Sequence, residues 1–294
     1  SKKFDEFRNN NIKLSKEVNE ETIVDILNQY DLIIVGSDQV WNPLQRLRKE
    51  YFLDYGDLFK GKKISYAADS TNSIINDNDL NNLRKSLKEF DYITVRNEHT
   101  KIFVKRILGI EVKIVADPTL LYDFSNEIRK QGCKEKYILT YILGKELKGS
   151  NLKAINKIKE KYGNIKVYSI EIPNSNNEIN NYADKIFYTL NPIEWLEMFK
   201  NATFVYTDSF HGVLFSLKFK RPFLAYYTEV LRASRFIDLG KRYNIDNYII
   251  SDIHDLKCKK SLEKKIDFET IDTLMKNQKL ESINLLDNTL KNFL

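Results

Sequence analysis

Cysteine and histidine are scarce in this sequence, and each shortage excludes a class of protein. Its 294 residues include two cysteines and three histidines. A disulfide framework is therefore excluded, and a reducing compartment, the cytoplasm, is expected. A zinc site built from cysteine and histidine ligands is not expected on the same count. We expect neither a metal ion nor a resident cofactor.

Long apolar runs and low-complexity segments are also missing. The longest apolar stretches, such as Leu32–Gly36 and Ile138–Gly144, fall far short of the roughly 20 residues that a membrane-spanning helix needs. The formal net charge of +6 is a modest excess. Because basic residues are scattered and do not alternate with exposed aromatics in a stripe, a nucleic-acid partner is not expected. The excess is compatible with an anionic substrate or with peripheral attraction to a membrane surface.

Short apolar runs alternate with helical stretches along most of the chain. Most of these runs are nearly continuous in apolar residues, as is typical of strands buried on both faces of a parallel sheet. The alternation predicts an open α/β sheet architecture. The predicted strands are Leu32–Val35, Lys63–Ala67, Tyr92–Val95, Lys113–Val115, Tyr137–Leu143, Lys166–Ile170, Phe204–Tyr206 and Pro222–Tyr226. The predicted helices include Leu80–Phe90, Glu98–Leu108, Asn151–Tyr162, Pro192–Lys200 and Phe210–Phe219.

The length of the chain predicts about two domains. A polar stretch over residues 125–136 separates two strand-rich halves. We therefore expect an amino-terminal α/β domain over residues 1–130 and a carboxy-terminal Rossmann-like domain over residues 131–268. The remaining residues, 269–294, carry apolar side chains at helical spacing and are expected to form a helix that docks on the body.

The residues after the first predicted strand form one candidate site, because ligands bind at the carboxyl ends of strands in open α/β sheets. Gly36 allows the backbone to turn sharply and to approach a ligand. The side chains that follow suit a sugar or a nucleotide. A structural turn, with Asp38 as a cap and Trp41 in the core, is the alternative. The residues expected to contact such a ligand are Gly36, Ser37, Gln39, Trp41 and Asn42, beside Asp38.

Arg96 and Asp117 follow two later strands. Arg96 stands at a strand end, where an always-charged side chain is costly to bury unless it is paired. It is either an anion-binding group or one half of a structural salt bridge, and the sequence leaves both open. Asp117 precedes Pro118 and is expected to cap a helix or to orient Arg96.

His211 lies in the first turn of a predicted helix, in the stretch Thr-Asp-Ser-Phe-His-Gly that follows a strand. The first turn of a helix offers unsatisfied N–H groups and a positive dipole end, which together favour anions. A histidine there can donate to a phosphate or protonate a substrate. Ser209 and Gly212 flank it. Arg232 and Arg235, beyond the next strand, either complete an anion cradle or belong to a helix surface.

These motifs, taken in order, resemble the polysaccharide pyruvyl transferase family. The resemblance runs from about residue 4 to about residue 250. It implies two Rossmann-like domains facing across a cleft, as in GT-B glycosyltransferases. Family chains usually begin with a strand and a glycine-containing turn, so the amino-terminal domain is expected to be incomplete here. The stretches that carry the resemblance are Leu32–Pro43, Ile64–Ala68, Thr94–Glu98, Ala116–Leu121, Thr207–Gly212 and Arg221–Phe223.

The reaction that the resemblance implies moves an enolpyruvyl unit from phosphoenolpyruvate onto a sugar and closes it to a pyruvate ketal. The sugar would belong to a bacterial cell-surface polysaccharide or to its lipid-linked precursor, and the enzyme would work in the cytoplasm or at the inner face of the membrane. The sequence leaves a homo-oligomer open. The implied catalytic residues are His211, Arg96 and Asp38, and the implied donor-binding residues are Ser209, Gly212, Arg232 and Arg235.

Two positions depart from the family pattern. Ser209 stands where members often carry an arginine, and Leu231, flanked by Arg232, falls near the place of a later basic residue. Two other functions therefore remain open. One is a glycosyltransferase of the same architecture that uses a nucleotide sugar, and the other is a non-catalytic sugar-binding member of the same machinery.

Overall fold

The chain divides into two units. A computed structural model describes residues 2–42, 48–71, 77–128, 135–171 and 182–293, with the side chains of residues 77–79 and 230–232 left out of that description. Unit 1 comprises Ser1–Lys13 and Asp123–Leu274, and unit 2 comprises Leu14–Tyr122 and Met275–Leu294. The cleft that the family resemblance implies between two domains stays a prediction.

This division differs from the expected domain boundaries in three places. The units separate at residue 122 rather than residue 130, and the last helix is divided between them. The first residues join the carboxy-terminal half of the chain, because Lys3 pairs with Glu194 at 2.8 Å and Phe4 contributes to an apolar groove beside Trp195. The expected boundary at residues 130/131 itself lies outside the described residues, as does Pro43.

The secondary structure follows the predicted alternation. In chain order the strands are β1 Leu32–Val35, β2 Lys62–Ala68, β3 Tyr92–Val95, β4 Lys113–Ile114, β5 Tyr137–Tyr141, β6 Lys166–Ile170, β7 Lys185–Phe187, β8 Phe204–Thr207, β9 Phe223–Tyr226 and β10 Ile249–Ile250. The α-helices are α1 Lys2–Asn11, α2 Ile23–Leu27, α3 Lys49–Phe52, α4 Asp77–Lys88, α5 Glu98–Leu108, α6 Pro118–Leu121, α7 Asn151–Tyr162, α8 Pro192–Asn201, α9 Phe210–Lys218, α10 Val230–Tyr243, α11 Asp255–Cys258 and α12 Phe268–Phe293. In the described part of the chain, no helix combines the length and the apolar character that crossing a bilayer requires.

Unit 2 is built on a parallel sheet with the strand order β1-β2-β3-β4. Its core contains Trp41, Phe52, Leu87 and Phe103, all nearly inaccessible to solvent. The part of α12 from Met275 onward belongs to this unit. Leu285 and Leu286 of α12 pack near β2, and the Ser282 hydroxyl accepts a 2.8 Å hydrogen bond from the Ala116 N–H.

Unit 1 is built on a parallel sheet with the strand order β10-β9-β8-β5-β6-β7. From β5 the chain adds β6 and β7 on one side, then returns to add β8, β9 and β10 on the other. The strand order therefore reverses between β5 and β8, and a crevice for ligands is expected outside the carboxyl ends of strands at such a switch point. The residues that follow β5 and β8 are thus the best placed in this unit to meet a ligand.

The expected fold class, two parallel α/β sheets, is confirmed. Each predicted strand is present within two residues of its expected bounds. The short strands β7 and β10, of three and two residues, were not predicted, because runs of that length carry no periodic signal. The strands β1, β3 and β6 and the helices α5 and α7 have the predicted bounds.

Candidate functional site

A buried ion cluster lies at the carboxyl ends of the strands of unit 2. Arg96, which follows β3, donates from Nη2 to Asp38 Oδ1 at 2.9 Å and from Nη1 to Asp117 Oδ2 at 3.0 Å. It also forms a short ion pair with Asp69, which follows β2. Asp38 follows β1 and Asp117 follows β4, so all four strands contribute one charged residue. The parallel sheet brings these residues together because it places all four carboxyl ends at one edge.

The positive charge of Arg96 is buried and is balanced by neighbouring carboxylates. Its side chain is 1% exposed, and Asp69 and Asp117 are 0% and 3% exposed. Burial by itself would lower the pKa of Arg96, but the attraction of Asp69, Asp117 and Asp38 outweighs burial and raises the pKa above its usual value. Of the two roles that the sequence left open, the structure therefore places Arg96 in a structural ion cluster. Direct contact of Arg96 with a donor stays a prediction.

Asp69 is a member of this cluster that the sequence analysis missed. Its Oδ1 accepts a 2.6 Å hydrogen bond from the Thr71 N–H, and Thr100 lies at 3.3 Å from the same oxygen. Asn97 caps α5 by accepting from the Thr100 N–H at 2.9 Å. A run of polar residues directly after a buried strand would have identified Asp69. The same signal identified Asp38 and Arg96.

Asp117 fulfils both of its expected roles. Its Oδ1 accepts from the Thr119 N–H at 3.0 Å and caps α6, while its Oδ2 orients Arg96. Because both oxygens are used inside the protein, Asp117 contributes position rather than an accessible reactive group.

The turn after β1 presents the accessible part of this site. Gly36 has a φ of +154°, and a Cβ there would lie 2.0 Å from the carbonyl oxygen of Tyr66. Only glycine fits this close approach of two backbones. Gly36 and Asp38 are exposed, and Ser37 and Gln39 are half-buried. The Asp38 side chain is 61% exposed even though Arg96 holds one of its oxygens, so Asp38 is oriented and accessible at once.

Trp41 corrects one prediction for this turn. It is 0% exposed, it stacks on Phe52 with ring centroids 6.0 Å apart, and its Nε1 donates to the Tyr51 carbonyl at 3.1 Å. Trp41 is thus a core residue rather than part of the accessible surface of the turn, because its side chain is buried and its indole N–H is bonded inside the protein. Asn42 is likewise buried and donates to Gln39 Oε1 at 3.0 Å, so it supports the turn from inside.

In unit 1 the candidate site is the junction between β8 and α9, at the switch point of the sheet. Ser209 is the N-cap of α9, and its Oγ accepts a 3.2 Å hydrogen bond from the Gly212 N–H. A Cβ on Gly212 would lie 2.4 Å from Thr207 Oγ1, so glycine lets the helix pack against the end of β8. Ser209 and Gly212 are both buried. They shape the turn, and their contact with a donor stays a prediction.

His211 is the half-exposed residue of this junction. The residues on either side of it, Phe210 and Gly212, are buried, while the imidazole lies edge-on to Phe210 with ring centroids 5.4 Å apart. Asp208, just before the helix, is buried and accepts a 2.6 Å hydrogen bond from the Leu143 N–H that follows β5. This bond ties together the two strand ends on either side of the switch point and fixes the position from which α9 starts.

The helix after β9 supplies the remaining predicted donor residues. Arg235 lies in α10 and is 7% exposed, and Arg232 lies in the same helix at a position whose side chain is outside the described residues. Lys145 in the loop after β5 and Glu229 in the turn before α10 form an exposed ion pair at 3.1 Å. Because β9 neighbours β8 in the sheet, the segments carrying His211 and Arg235 begin at the same edge.

Solved structures with the same fold bind nucleotides or nucleotide sugars. The structure of S. aureus MnaA with UDP aligns with a TM-score of 0.62 and 13% identity, over 98% of this chain and 86% of that one. Arabidopsis thaliana UGT89C1 with UDP-L-rhamnose aligns with a TM-score of 0.57 and 12% identity, over 93% and 76%. Neisseria meningitidis UDP-GlcNAc 2-epimerase with UDP-GlcNAc aligns with a TM-score of 0.56 and 11% identity, over 96% and 84%. At these identities the likeness shows the fold alone, which is that of the GT-B enzymes.

The family follows from the sequence itself. The family model described as polysaccharide pyruvyl transferase matches residues 1–229. That span covers most of the chain and includes Asp38, Arg96 and His211. The chain belongs to the polysaccharide pyruvyl transferase family, and it is a transferase of GT-B-like fold. A search of curated protein sequences gives no match.

Proposed function

We propose that this protein transfers pyruvate from phosphoenolpyruvate to a sugar of a cell-surface polysaccharide or of its lipid-linked precursor, as a ketal. The observation that carries the proposal is the family match over residues 1–229, combined with His211 at the switch point of unit 1. The residues present suit this chemistry without a metal ion or a cofactor.

Unit 1 is the donor side in this proposal. Phosphoenolpyruvate carries a phosphate and a carboxylate, and both groups favour helix N-termini and arginines. The first turn of α9 provides the helix end, with His211 accessible beside it. Arg235 lies in helix α10, whose segment begins at the same edge of the sheet. It is the arginine proposed to bind the carboxylate of phosphoenolpyruvate.

The reaction needs one proton delivered and two hydroxyl protons removed. A sugar hydroxyl adds to carbon 2 of the enolpyruvyl group while a proton reaches the methylene carbon, which becomes a methyl group. Loss of phosphate and addition of a second hydroxyl at the same carbon close the ketal. His211 is proposed as the phosphate contact or the acid, because imidazole exchanges protons near neutral pH.

Unit 2 is the acceptor side in this proposal. Asp38 is the accessible carboxylate of the ion cluster and is proposed to orient or deprotonate the attacking hydroxyl. Arg96 then acts through Asp38 as a positioning residue, since its own hydrogen bonds are made to Asp38 and to buried carboxylates. Gly36, Ser37 and Gln39 shape the surface around Asp38.

A glycosyltransferase that uses a nucleotide sugar is the second candidate. The observation in its favour is that the fold is shared with structures containing UDP or UDP-sugars. A helix N-terminus beside a histidine would serve a diphosphate as well as a phosphate. A protein that binds an acceptor glycan without turnover is the third.

A donor screen separates these functions. Purified protein is incubated with a mixture of glycan and lipid-linked acceptors, and phosphate release from phosphoenolpyruvate is compared with UDP release from UDP-sugars. We expect acceptor-dependent phosphate release that is lost in the matched variant His211→Asn. UDP release instead would establish the glycosyltransferase, and acceptor binding with no turnover of either donor would establish the binding protein.

We also propose that the reaction takes place in the cytoplasm, either away from a membrane or at the inner face of one. The support is compositional, because two cysteines and no disulfide framework suit a reducing compartment. Fractionation of cells, with the protein followed by antibody, tests this location. Recovery outside the cytoplasmic and membrane fractions would contradict it.

A further inference from the structure

Unit 1 carries a lysine-lined groove that begins in the loop after β5 and continues along helix α7. The groove has a volume of about 1310 Å³ and lies between helix α7 and residues 252–263. Helix α7 contributes Lys153, Lys157 and Lys161, which share one face of the helix because they are four residues apart. Lys148 and Lys257 line the same groove. The opposite face of α7 is buried in the core of unit 1, so this basic face is the solvent side of a fixed helix.

The floor of the groove is apolar. Ile253, Leu256 and Leu262 line it and pack against the core of the unit. Leu262 and Lys161 also line an adjoining cavity of about 420 Å³, whose other walls are largely apolar and include Phe223 and Ile266. We call the two cavities together the basic groove, since they share these two residues.

The charge of the basic groove is strongly one-sided. Among the described residues that line it there are seven lysines, which include Lys264 and Lys265, and three carboxylates. Seven lysines against three carboxylates give these lining residues a formal net charge of +4. Two ion pairs lie at this surface, Lys148–Asp252 at 3.5 Å, whose aspartate is half-buried, and Lys157–Glu160 at 2.8 Å, which is exposed and therefore weak. They leave the surface basic.

We propose that the basic groove docks on a bilayer that contains anionic lipids. The lysines contact the headgroups, and the apolar floor with its adjoining cavity accommodates part of an acyl chain. A peripheral membrane site combines basic residues with an adjacent apolar surface. A nucleic acid would match the lysines and leave the apolar surface uncovered, which is why the observations favour a lipid. This proposal does not depend on the reaction proposed above.

Vesicle sedimentation tests the proposal with the full chain. Vesicles of phosphatidylcholine are compared with vesicles that also contain phosphatidylglycerol, at low and at high salt. We expect binding only when phosphatidylglycerol is present, and weaker binding at high salt, because exposed charges are screened. Each lysine near an anionic surface contributes about a fivefold factor in binding. The double variant Lys153→Glu/Lys257→Glu should therefore lower the partition coefficient by roughly 20-fold or more.

The matched control places the same charge change elsewhere. Lys85 and Lys88 are exposed on α4 of unit 2, so Lys85→Glu/Lys88→Glu alters the net charge equally. We expect this control to bind vesicles within about threefold of the parent, and both variants to keep the thermal unfolding midpoint of the parent. Equal losses in the two variants would overturn the proposal, because they would report net charge alone.

Two further arms distinguish other ligands. Glycerol phosphate added as a competitor should leave vesicle binding intact. Full competition would overturn the proposal, because it would show that the groove binds a phosphate group alone. A single-stranded RNA homopolymer should bind more weakly than the anionic vesicles. Tighter RNA binding that is lost in Lys153→Glu/Lys257→Glu would overturn the lipid assignment in favour of a nucleic acid.

Discussion

The charged residues that follow the strands of unit 2 pair with one another, whereas Asp208 and Ser209 of unit 1 accept hydrogen bonds from backbone N–H groups. In unit 2, Arg96 gathers three carboxylates into one buried cluster. In unit 1, Ser209 caps helix α9, and Asp208 accepts a hydrogen bond from the N–H of Leu143 in the loop after β5. The difference teaches that the same sequence signal, polar residues after a buried strand, supports two kinds of site. One is a charge network that presents Asp38, and the other is a scaffold that presents His211.

The largest expected effect is a loss of turnover when His211, the half-exposed residue at the start of α9, is replaced. His211→Asn should lower turnover by about 10²–10⁴, the usual range for losing a general acid. Stability should stay near that of the parent, because His211 is half-exposed and asparagine fits the helix start. Steady-state rates with the donor found by the screen, together with a urea unfolding curve, measure both quantities. Turnover within about threefold of the parent would leave His211 as a structural residue.

The next effect tests the ion cluster of unit 2. Arg96→Ala should lower the free energy of unfolding by about 3–5 kcal/mol, because it leaves Asp69 and Asp117 buried without their partner. Arg84→Ala is the matched control in the same unit, since Arg84 is half-buried and donates to the Ile107 carbonyl at 2.8 Å. It should cost about 1 kcal/mol. A fully stable Arg96→Ala protein that has lost only turnover would show that Arg96 serves a ligand after all.

A smaller effect is expected at the glycine of the first turn. Gly36→Ala combines an unfavourable φ with a clash against the Tyr66 carbonyl and should cost about 2–4 kcal/mol. Gly109→Ala changes a glycine at φ +74° with nothing within 4 Å of the new Cβ, so it isolates the backbone strain. It should cost about 1–2 kcal/mol. Equal costs in chemical denaturation would contradict the close approach of β1 and β2 described here.

The smallest effect compares one helix cap from each unit. Ser209→Ala removes the cap of α9 and Asn97→Ala removes the cap of α5, and each should cost about 1 kcal/mol. Because both caps are buried, the losses should be similar in urea denaturation. If Asn97→Ala costs much more than Ser209→Ala, the network of unit 2 extends beyond its charged residues.

Much of the fold could be predicted from local pattern. Strands such as β1 and β6 are continuous apolar runs, and helices such as α5 and α7 repeat their apolar positions every three to four residues, so their bounds were predicted correctly. The membership of Lys2–Asn11 in unit 1 could not be predicted. It depends on contacts such as Lys3 with Glu194, which is 191 residues away in the chain.

Local patterns in the sequence predict the fold class, the family and the polar turns after the strands, because buried parallel strands and glycine turns have recognisable residue spacings. The tertiary structure alone decided how each polar residue is used. Trp41 and Arg96 come from similar strand-end segments, yet the packing of Phe52 and Phe90 makes Trp41 a core residue. The meeting of four strand ends makes Arg96 the centre of an ion cluster. Burial and pairing depend on residues distant in the chain, and no local pattern encodes them.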